Sequence, residues 1–494
     1  MLFDKITPES AGIKSEHVAE YIEKLEKRKV PMHSLAIMKG ENIFCECYWA
    51  PYNKDSLHRM YSQTKSYVSI AIGILIDEGK LSLDDKIVDY FKDIIYTPLN
   101  EYLKNQTIRD MLTMCTIGGC PSWFTHEIQN RAELYFNAKR NKTRPSGTYW
   151  EYDSSGSQVL STLVERITGK SLFEFLNEKI FTHLGTFKTA TILKARTGDS
   201  WGDSALLCTT RDMLSFARLL LNGGKWQDKA LISEEYVREA TRKQVNNNKD
   251  QRPGVFYYGY GYQIWRTEQN GFAFVGMGNQ LTVCLPEKDL IFTCTADCQG
   301  DGELGREYII NSFFDLIVDR ISDTPLAENP EQAKKLSSVC NSLELFAVKG
   351  EKSSPVADKI NGKTYVCEPN PMGIPELRLE ITDDNGVLYY TNEQGKKELV
   401  FGINHNEFSH FPQLGYSNEV GGERTSDGFM YKCATSGAWL DDRQLFIYTQ
   451  IIDRYLGNAR MIFAFKDDAL CLKMEKTAED FLNEYDGTLI ARQK

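Results

Sequence analysis

A serine and a lysine three positions apart are the first residues in this sequence that could do chemistry together. Ser62-Gln63-Thr64-Lys65 is an S-x-x-K pattern, and on a helix its serine and lysine lie on one face, within reach of each other. A serine hydroxyl is a weak nucleophile unless a neighbouring base takes its proton. An amine buried beside an apolar helix spends part of its time uncharged and can be that base. The pattern therefore predicts nucleophilic attack by Ser62, with Lys65 as the proton acceptor.

The same pattern also arises by chance, as a helix-capping serine followed by a lysine in solvent. The residues after it argue for the catalytic interpretation. Positions 67–76 (YVSIAIGILI) are mostly apolar, which predicts a buried helix over 62–78, ended by Gly79 as a left-handed cap. A helix that starts at Ser62 also directs free backbone N–H groups, including that of Ser62, at a developing oxyanion.

The rest of the chain must supply the elements that position this pair. Residues 16–28 have helical spacing, 34–38 and 43–49 predict a hairpin, and 82–85 predict the start of a further helix. Helical periodicity dominates from about 105 to 240, and apolar runs typical of strands return afterwards. The predicted helices are 108–114, 158–168, 172–178, 210–221, 233–241 and 306–320, and the predicted strands are 257–266, 272–275, 280–285 and 290–296.

This order of elements predicts an α/β (α+β) fold in which an antiparallel sheet is flanked by helices. We expect one domain over 1–325 with a helical subdomain at about 85–240, a connector over 326–357, and a C-terminal domain over 358–494. The last domain alternates apolar and polar residues, which predicts an antiparallel β barrel or sandwich. Its predicted hairpin turns are Asn385-Gly386 and Lys466-Asp467-Asp468.

Composition limits the possible partners and cofactors. The 494 residues carry a formal net charge of −10, which argues against nucleic acid or an anionic membrane as a partner. The twelve cysteines form no repeated metal-binding spacing, so we expect buried, reduced thiols, no metal and no cofactor. The isolated histidines His58 and His126 are expected to be packing or surface residues. The amino terminus has no apolar core typical of a secretory signal, so a cytoplasmic protein is expected, unless a signal has been removed.

Several stretches together resemble the serine β-lactamase and penicillin-binding-protein superfamily, in particular class C β-lactamases, related esterases and 6-aminohexanoate-dimer hydrolases. The resemblance covers roughly residues 5–320 and implies a β-lactamase/transpeptidase-like fold. The stretches that carry it are 34–91 (with YSQTKSYVSIAIGILIDEGKLSLDD), 107–114 (TIRDMLTM), 145–185 (with GTYWEYDSSGSQ), 209–224 (TTRDMLSFARLLLNGG) and 274–296 (FVGMGNQLTVCLPEKDLIFTCTA).

The family's second motif is Tyr-x-Asn, which here is matched by Tyr152-Asp153-Ser154. By resemblance Tyr152 shares the general acid and base role with Lys65, which is reasonable for a phenol beside positive charge. A buried structural tyrosine is the alternative interpretation. Ser154 can still donate a hydrogen bond to substrate, but it reaches less far than asparagine would. Recognition of a β-lactam amide is therefore in doubt.

The family's third motif, Lys-Thr-Gly or His-x-Gly on an edge strand, is matched by Gly276-Met277-Gly278, which lacks a cation. Because that cation helps to hold a substrate carboxylate in the family, its absence points away from penicillins. Gly276 and Gly278 allow close backbone approach, and alignment makes the N–H of Asn279 the second oxyanion donor. A competing match is 196–198 (RTG), in a loop-like stretch.

Two functions follow from these residues. The first is a serine hydrolase that acylates Ser62 with an ester or amide substrate, with weak or no β-lactamase activity. The second is a catalytically silent binding or sensor protein of the same fold. The sequence has no G-x-S-x-G elbow, which argues against an esterase of the α/β-hydrolase type.

Overall fold

The computed structural model describes residues 3–121, 123, 130–424 and 428–494, so His126 lies outside the described residues. The chain divides into two compact units. The first comprises Met1–Glu344 together with Glu419–Gly421, and the second comprises Leu345–Asn418 together with Gly422–Lys494. The division after Glu344 falls inside the stretch interpreted above as a connector, 326–357.

The strands of the first unit are, in chain order, β1 (Asp4–Lys5), β2 (Met32–Lys39), β3 (Asn42–Tyr48), β4 (His58–Arg59), β5 (Thr191–Ile192), β6 (Leu206–Cys208), β7 (Lys225–Trp226), β8 (Lys229–Ala230), β9 (Trp265–Arg266), β10 (Phe272–Gly276), β11 (Gln280–Leu285) and β12 (Leu290–Ala296). The main sheet has the order β1-β3-β2-β12-β11-β10-β9. All its neighbours pair antiparallel except β1 with β3.

The central strands of this sheet have both faces covered. Every residue of β10, β11 and β12 is buried, including the polar residues Gln280, Thr282, Thr293 and Thr295. The predicted hairpin and the strands after 270 are confirmed. Of the stretch 257–266, predicted as one strand, only β9 is a strand, and that prediction was too long.

The helices of the first unit are α1 (Ser15–Lys27), α2 (Thr64–Asp77), α3 (Glu101–Lys104), α4 (Ile108–Leu112), α5 (Arg131–Asn137), α6 (Ser154–Thr168), α7 (Leu172–Leu176), α8 (Thr182–Leu184), α9 (Thr210–Leu221), α10 (Glu234–Thr241), α11 (Gly302–Phe313) and α12 (Pro330–Asn341). The sequence predicted most of these helices to within a few residues. In the described part of the chain, no helix combines the length and apolar character needed to cross a bilayer.

Helix α2 is the buried helix that the apolar run predicted. It is buried from Thr64 to Leu75, and Gly73 lets the ring of Tyr236 pack where a Cβ would lie 2.3 Å from it. Gly79 has φ +68, and the N–H groups of Gly79 and Lys80 donate to Ile76 and Leu75, which is the predicted left-handed cap. The helix predicted to start at 82–85 is wrong, because these residues form a turn that leads into the 3-10 helix Ile87–Tyr90.

The second unit begins with α13 (Ala357–Ile360) and continues with β13 (Thr364–Cys367), β14 (Glu376–Ile381), β15 (Asn385–Asn392), β16 (Gly395–Ile403), β17 (Glu407–Leu414), β18 (Met430–Trp439), β19 (Gln444–Ile452), β20 (Leu456–Lys466), β21 (Ala469–Thr477) and β22 (Gly487–Gln493). The strand order is β16-β15-β14-β13-β22-β21-β20-β19-β18-β17, and β16 also pairs with β18. That pairing closes a ring of nine strands, so the domain is a barrel rather than a sandwich.

The two predicted hairpin turns had different outcomes. Asp467 and Asp468 do form the turn between β20 and β21, with Asp467 at φ +54. Asn385-Gly386 is not a turn, because both residues already pair with β16 and the chain reverses two residues earlier, at 383–384.

Candidate active site

Ser62 lies in a short 3-10 turn, Tyr61–Gln63, between β4 and α2. The helix therefore starts two residues later than predicted. Tyr61 adopts φ +45, a conformation that non-glycine residues rarely take and that is often found at functional sites. The turn presents Ser62 at the amino-terminal end of α2, where backbone N–H groups are free to meet negative charge.

Lys65 is buried and directed at the serine. It is 1% exposed, and its Nζ donates to Ser62 Oγ at 2.9 Å and to the backbone carbonyl of Asp203 at 2.6 Å. The Asp203 side chain is itself held 3.5 Å from the Arg131 guanidinium. The Asp203 carbonyl thus helps to hold the Lys65 amine in an orientation in which it also contacts the Ser62 hydroxyl.

Polar residues around the pair fix the turn to the sheet. The Gln63 amide donates to the carbonyls of Phe274 and Gln280, on β10 and β11. On α2, Ser66 Oγ donates to the carbonyl of Gln263. The turn at Tyr61–Gln63 is therefore bonded to β10 and β11, which limits how far Ser62 can move.

Tyr152 faces the same site from the segment before α6. Its ring centroid lies 5.3 Å from Lys65 Nζ, and the ring stacks on Trp265 with centroids 5.7 Å apart. Asp153, the next residue, caps α6 by accepting from the N–H groups of Ser155 and Gly156 at 2.9 and 3.2 Å. This cap fixes where the helix starts and hence the position of the tyrosine before it.

The glycine motif lies where β10 turns into β11. A Cβ on Gly276 would lie 2.1 Å from the carbonyl oxygen of Met60, so only glycine lets this strand approach the residues just before the turn at Tyr61–Gln63. Gly278 has φ +76 and Asn279 has φ +71, which closes the three-residue loop. The alternative match, 196–198, is exposed and lies in a turn rather than on a strand.

The backbone N–H groups of Asn279 and Met277 differ in their hydrogen bonding. The N–H of Asn279 donates to the carbonyl of Gly276 at 3.2 Å, and its side chain is buried. In the described part of the chain, the N–H groups of Ser62 and Met277 donate to no protein acceptor, and both residues line the same cavity. This geometry favours Met277 over Asn279 as the second oxyanion donor.

Ser62, Tyr152 and Met277 line one cavity of about 350 Å³, and Ser154 lines it as well. The described residues that line it are Tyr61, Ser62, Gly119, Cys120, Trp123, Tyr152, Asp153, Ser154, Ser155, Asp203, Ser204 and Met277. None of these side chains is cationic. The lining does not include Gly276, Gly278 or Asn279.

Cys120 is the one thiol among the described lining residues, and thus a possible rival nucleophile. Burial raises the pKa of its thiol to about 11, and the thiol donates to the carbonyls of Pro121 and Leu134. A thiol with that pKa carries almost no thiolate at neutral pH. Cys120 is therefore a poor candidate for a nucleophile at neutral pH.

A buried histidine pair joins β2 to β4, just before the turn at Tyr61–Gln63. His33 Nδ1 and His58 Nε2 are 3.1 Å apart, and Tyr52 stacks on His33. His58 is thus a packing residue, as expected. Burial lowers the pKa of His58 to about 4, and burial together with His58 lowers the pKa of His33 well below its usual value.

This pair predicts a loss of stability in mild acid. The unfolded chain binds protons on both histidines below about pH 6.5, whereas in the folded chain His58 resists protonation until about pH 4 and the pKa of His33 also lies well below its usual value. The free energy of unfolding should then fall by up to about 1.4 kcal/mol per pH unit for each histidine as the pH drops between these values. Urea unfolding followed by circular dichroism at several pH values measures this slope. His33→Gln should reduce it, and the exposed control His410→Gln should not; equal slopes in all three proteins would refute the assignment.

Comparisons with known proteins agree with the resemblance seen in the sequence. The Beta-lactamase family model matches residues 18–310. The 6-aminohexanoate-dimer hydrolase of Paenarthrobacter ureafaciens is 23% identical over 249 residues, which are 47% of this chain and 64% of that protein. The chain therefore spans slightly less than two thirds of that relative.

Solved structures resemble the chain at low identity. EstCE1, described as a hydrolase with promiscuous acyltransferase activity, has a TM-score of 0.50 at 13% identity and covers 61% of this chain and 99% of its own. The octameric penicillin-binding protein homologue from Pyrococcus abyssi has a TM-score of 0.48 at 16% identity and covers 96% of this chain and 99% of its own. Because the family match extends over more than half of the sequence, this protein belongs to the beta-lactamase family of hydrolases.

Proposed function

We propose that this protein is a serine hydrolase that transfers the acyl group of an ester or amide to Ser62 and then to water. The single observation that carries this proposal is the buried amine of Lys65, bonded both to Ser62 Oγ and to the Asp203 carbonyl. Burying a lysine amine costs free energy. A purely structural role does not explain why this amine contacts a serine at the wall of a cavity, whereas a catalytic role does.

The reaction then proceeds in two halves. Ser62 Oγ attacks the substrate carbonyl carbon while its proton passes to the amine of Lys65. The oxyanion of the tetrahedral intermediate accepts hydrogen bonds from the N–H groups of Ser62 and Met277. Tyr152 protonates the leaving group as the carbonyl reforms. Water then attacks the acyl-enzyme with the same groups acting in reverse.

The cavity supports substrates without a carboxylate. Its described lining includes aromatic rings, small hydroxyl-bearing residues and the aspartates Asp153 and Asp203, but no cation, and the third motif has lost the cationic position as well. An anionic substrate would be desolvated there without a countercharge. We therefore infer neutral acyl groups, as in short esters and uncharged amides, and a poor reaction with β-lactams.

A substrate panel tests this function. The purified chain is assayed with p-nitrophenyl acetate and butyrate, a 6-aminohexanoate dimer, D-Ala-p-nitroanilide and nitrocefin. We expect turnover of the neutral esters, with kcat/KM higher than for nitrocefin. Turnover of nitrocefin alone would contradict the inferred substrate class. No turnover of any ester, with no acylation of Ser62, would favour the silent binding protein instead.

Tyr152→Phe tests the proposed role of the phenol. The ring should keep its stacking on Trp265, while the proton donor is lost, so kcat should fall by about 100-fold or more. The loss of kcat/KM, which reports acylation, should be smaller for p-nitrophenyl esters, whose leaving group needs little protonation, than for amides or alkyl esters. Equal losses of kcat/KM for good and poor leaving groups would contradict the role of Tyr152 as a general acid.

A further inference from the structure

Three cysteines that are far apart in the sequence meet in the first unit. Cys45 and Cys47 lie on β3, where residues two apart point to the same face, and Cys340 lies in the last turn of α12. The sulfur atoms of Cys45 and Cys47 are 3.6 Å apart, and those of Cys47 and Cys340 are 3.0 Å apart. All three sulfurs lie within 4.8 Å of one another.

We propose that Cys45, Cys47 and Cys340 form a three-thiolate site for a soft d10 metal ion, zinc(II) or copper(I). Thiolate sulfur selects these ions over harder cations. With zinc–sulfur bonds of about 2.3 Å, two sulfurs of a tetrahedral site are about 3.8 Å apart. The Cys45–Cys47 distance is close to this value, and the Cys47–Cys340 distance reaches it with a shift of roughly 0.8 Å.

The surroundings provide both shielding and access. Cys45 and Cys47 are 4% and 2% exposed, whereas Cys340 is partly exposed, which gives an ion a route to the site. Among the described residues no further histidine, cysteine or acidic side chain joins the group. The remaining position on zinc would therefore be taken by water, while copper(I) is satisfied by three thiolates.

Binding of the metal ion to the three thiols changes no oxidation state. Each S–H bond that breaks releases its proton to solvent, and a sulfur–metal bond forms in its place. The expected consequence is structural: the ion joins α12 to β3, which already pack together. A ligand that binds only the folded form stabilises it in proportion to the logarithm of its concentration.

The experiment uses the full chain, reduced with a phosphine and freed of metal with a chelator. Zinc is titrated against a chromophoric chelator, copper(I) is titrated against bathocuproine, and the melting temperature is followed in parallel. We expect one ion per chain and a rise in melting temperature. Cys340→Ser should weaken binding by roughly 100-fold or more, since loss of an outer partner alone costs up to that much. Cys367→Ser, at a cysteine of similar partial exposure, is the matched control and should bind as the wild type does.

Two results would overturn the proposal. One is the absence of stoichiometric zinc or copper(I) in the reduced wild-type chain. The other is equal affinity in the wild type and Cys340→Ser. A Cys47–Cys340 disulfide in peptide maps, with no metal uptake after its reduction, would assign the cluster to thiol–disulfide exchange instead. Comparable melting temperatures of the metal-free wild type and Cys340→Ser show that a loss of binding is not a loss of folding.

Discussion

Ser62→Ala should abolish turnover of every substrate that the wild type hydrolyses, with kcat/KM lower by about 1,000-fold or more. The variant loses the atom that forms the acyl-enzyme, whereas the cavity and the oxyanion donors remain. The side chain is only partly buried, so the free energy of unfolding should change by less than about 1 kcal/mol. Steady-state kinetics with p-nitrophenyl butyrate and urea unfolding measure the two quantities.

A matched serine separates chemistry from packing. Ser204 lines the same cavity, and its hydroxyl accepts a hydrogen bond from Arg59. Ser204→Ala should keep both turnover, within about tenfold, and labelling by a fluorophosphonate probe, while Ser62→Ala should lose both. Labelling of Ser62→Ala at the wild-type rate would mean that another residue is the nucleophile.

Replacing Lys65 should have the second largest effect, and two variants distinguish its possible roles. Lys65→Met removes both base and charge, and Lys65→Arg keeps a positive charge that cannot lose its proton in a protein. If Lys65 is the general base, kcat should fall by about 100- to 10,000-fold in both variants. If Lys65 only supplied charge, Lys65→Arg would retain most of the activity, and that result would contradict the proposed mechanism.

Stability must be measured alongside these rates. Lys65→Met leaves the Asp203 carbonyl without its donor, which costs about 1–3 kcal/mol, while it also removes a buried polar group. Far-ultraviolet circular dichroism and urea unfolding establish that each variant is folded under assay conditions. A rate loss that persists well below the urea midpoint belongs to chemistry rather than to unfolding.

The parts of the fold that depend on a local residue pattern could be predicted from the sequence. The apolar run of α2, its Gly79 cap and the continuous strands β10–β12 follow from residue type and spacing within single segments. The predictions that failed depend on neighbours in space. Asn385-Gly386 has the composition of a turn, but pairing with β16 extends β15 through it. The start of a helix at 82–85 was predicted from capping residues alone, and the segment turns instead.

For the candidate site, too, prediction succeeded only where the residues lie close together in the sequence. Ser62 and Lys65 are a single helical turn apart, so their spacing is enough to suggest a pair. The acceptor that orients the amine is a backbone carbonyl, at Asp203, and no residue type marks such a carbonyl in a sequence. The choice between Met277 and Asn279 depends on how one three-residue loop closes. Cys340 could not be associated with Cys47, because 293 positions separate them.

The most direct measurement is the mass of the acylated serine itself. The chain is mixed with p-nitrophenyl butyrate, quenched in acid during turnover and digested with trypsin, which cleaves after Arg59 and isolates Ser62 in a short peptide ending at Lys65. We predict a butyryl adduct on Ser62 in the wild type, accumulated further in Tyr152→Phe if deacylation slows, and absent from Ser62→Ala. Turnover with no adduct on this peptide, or with the adduct on another residue, would contradict the account.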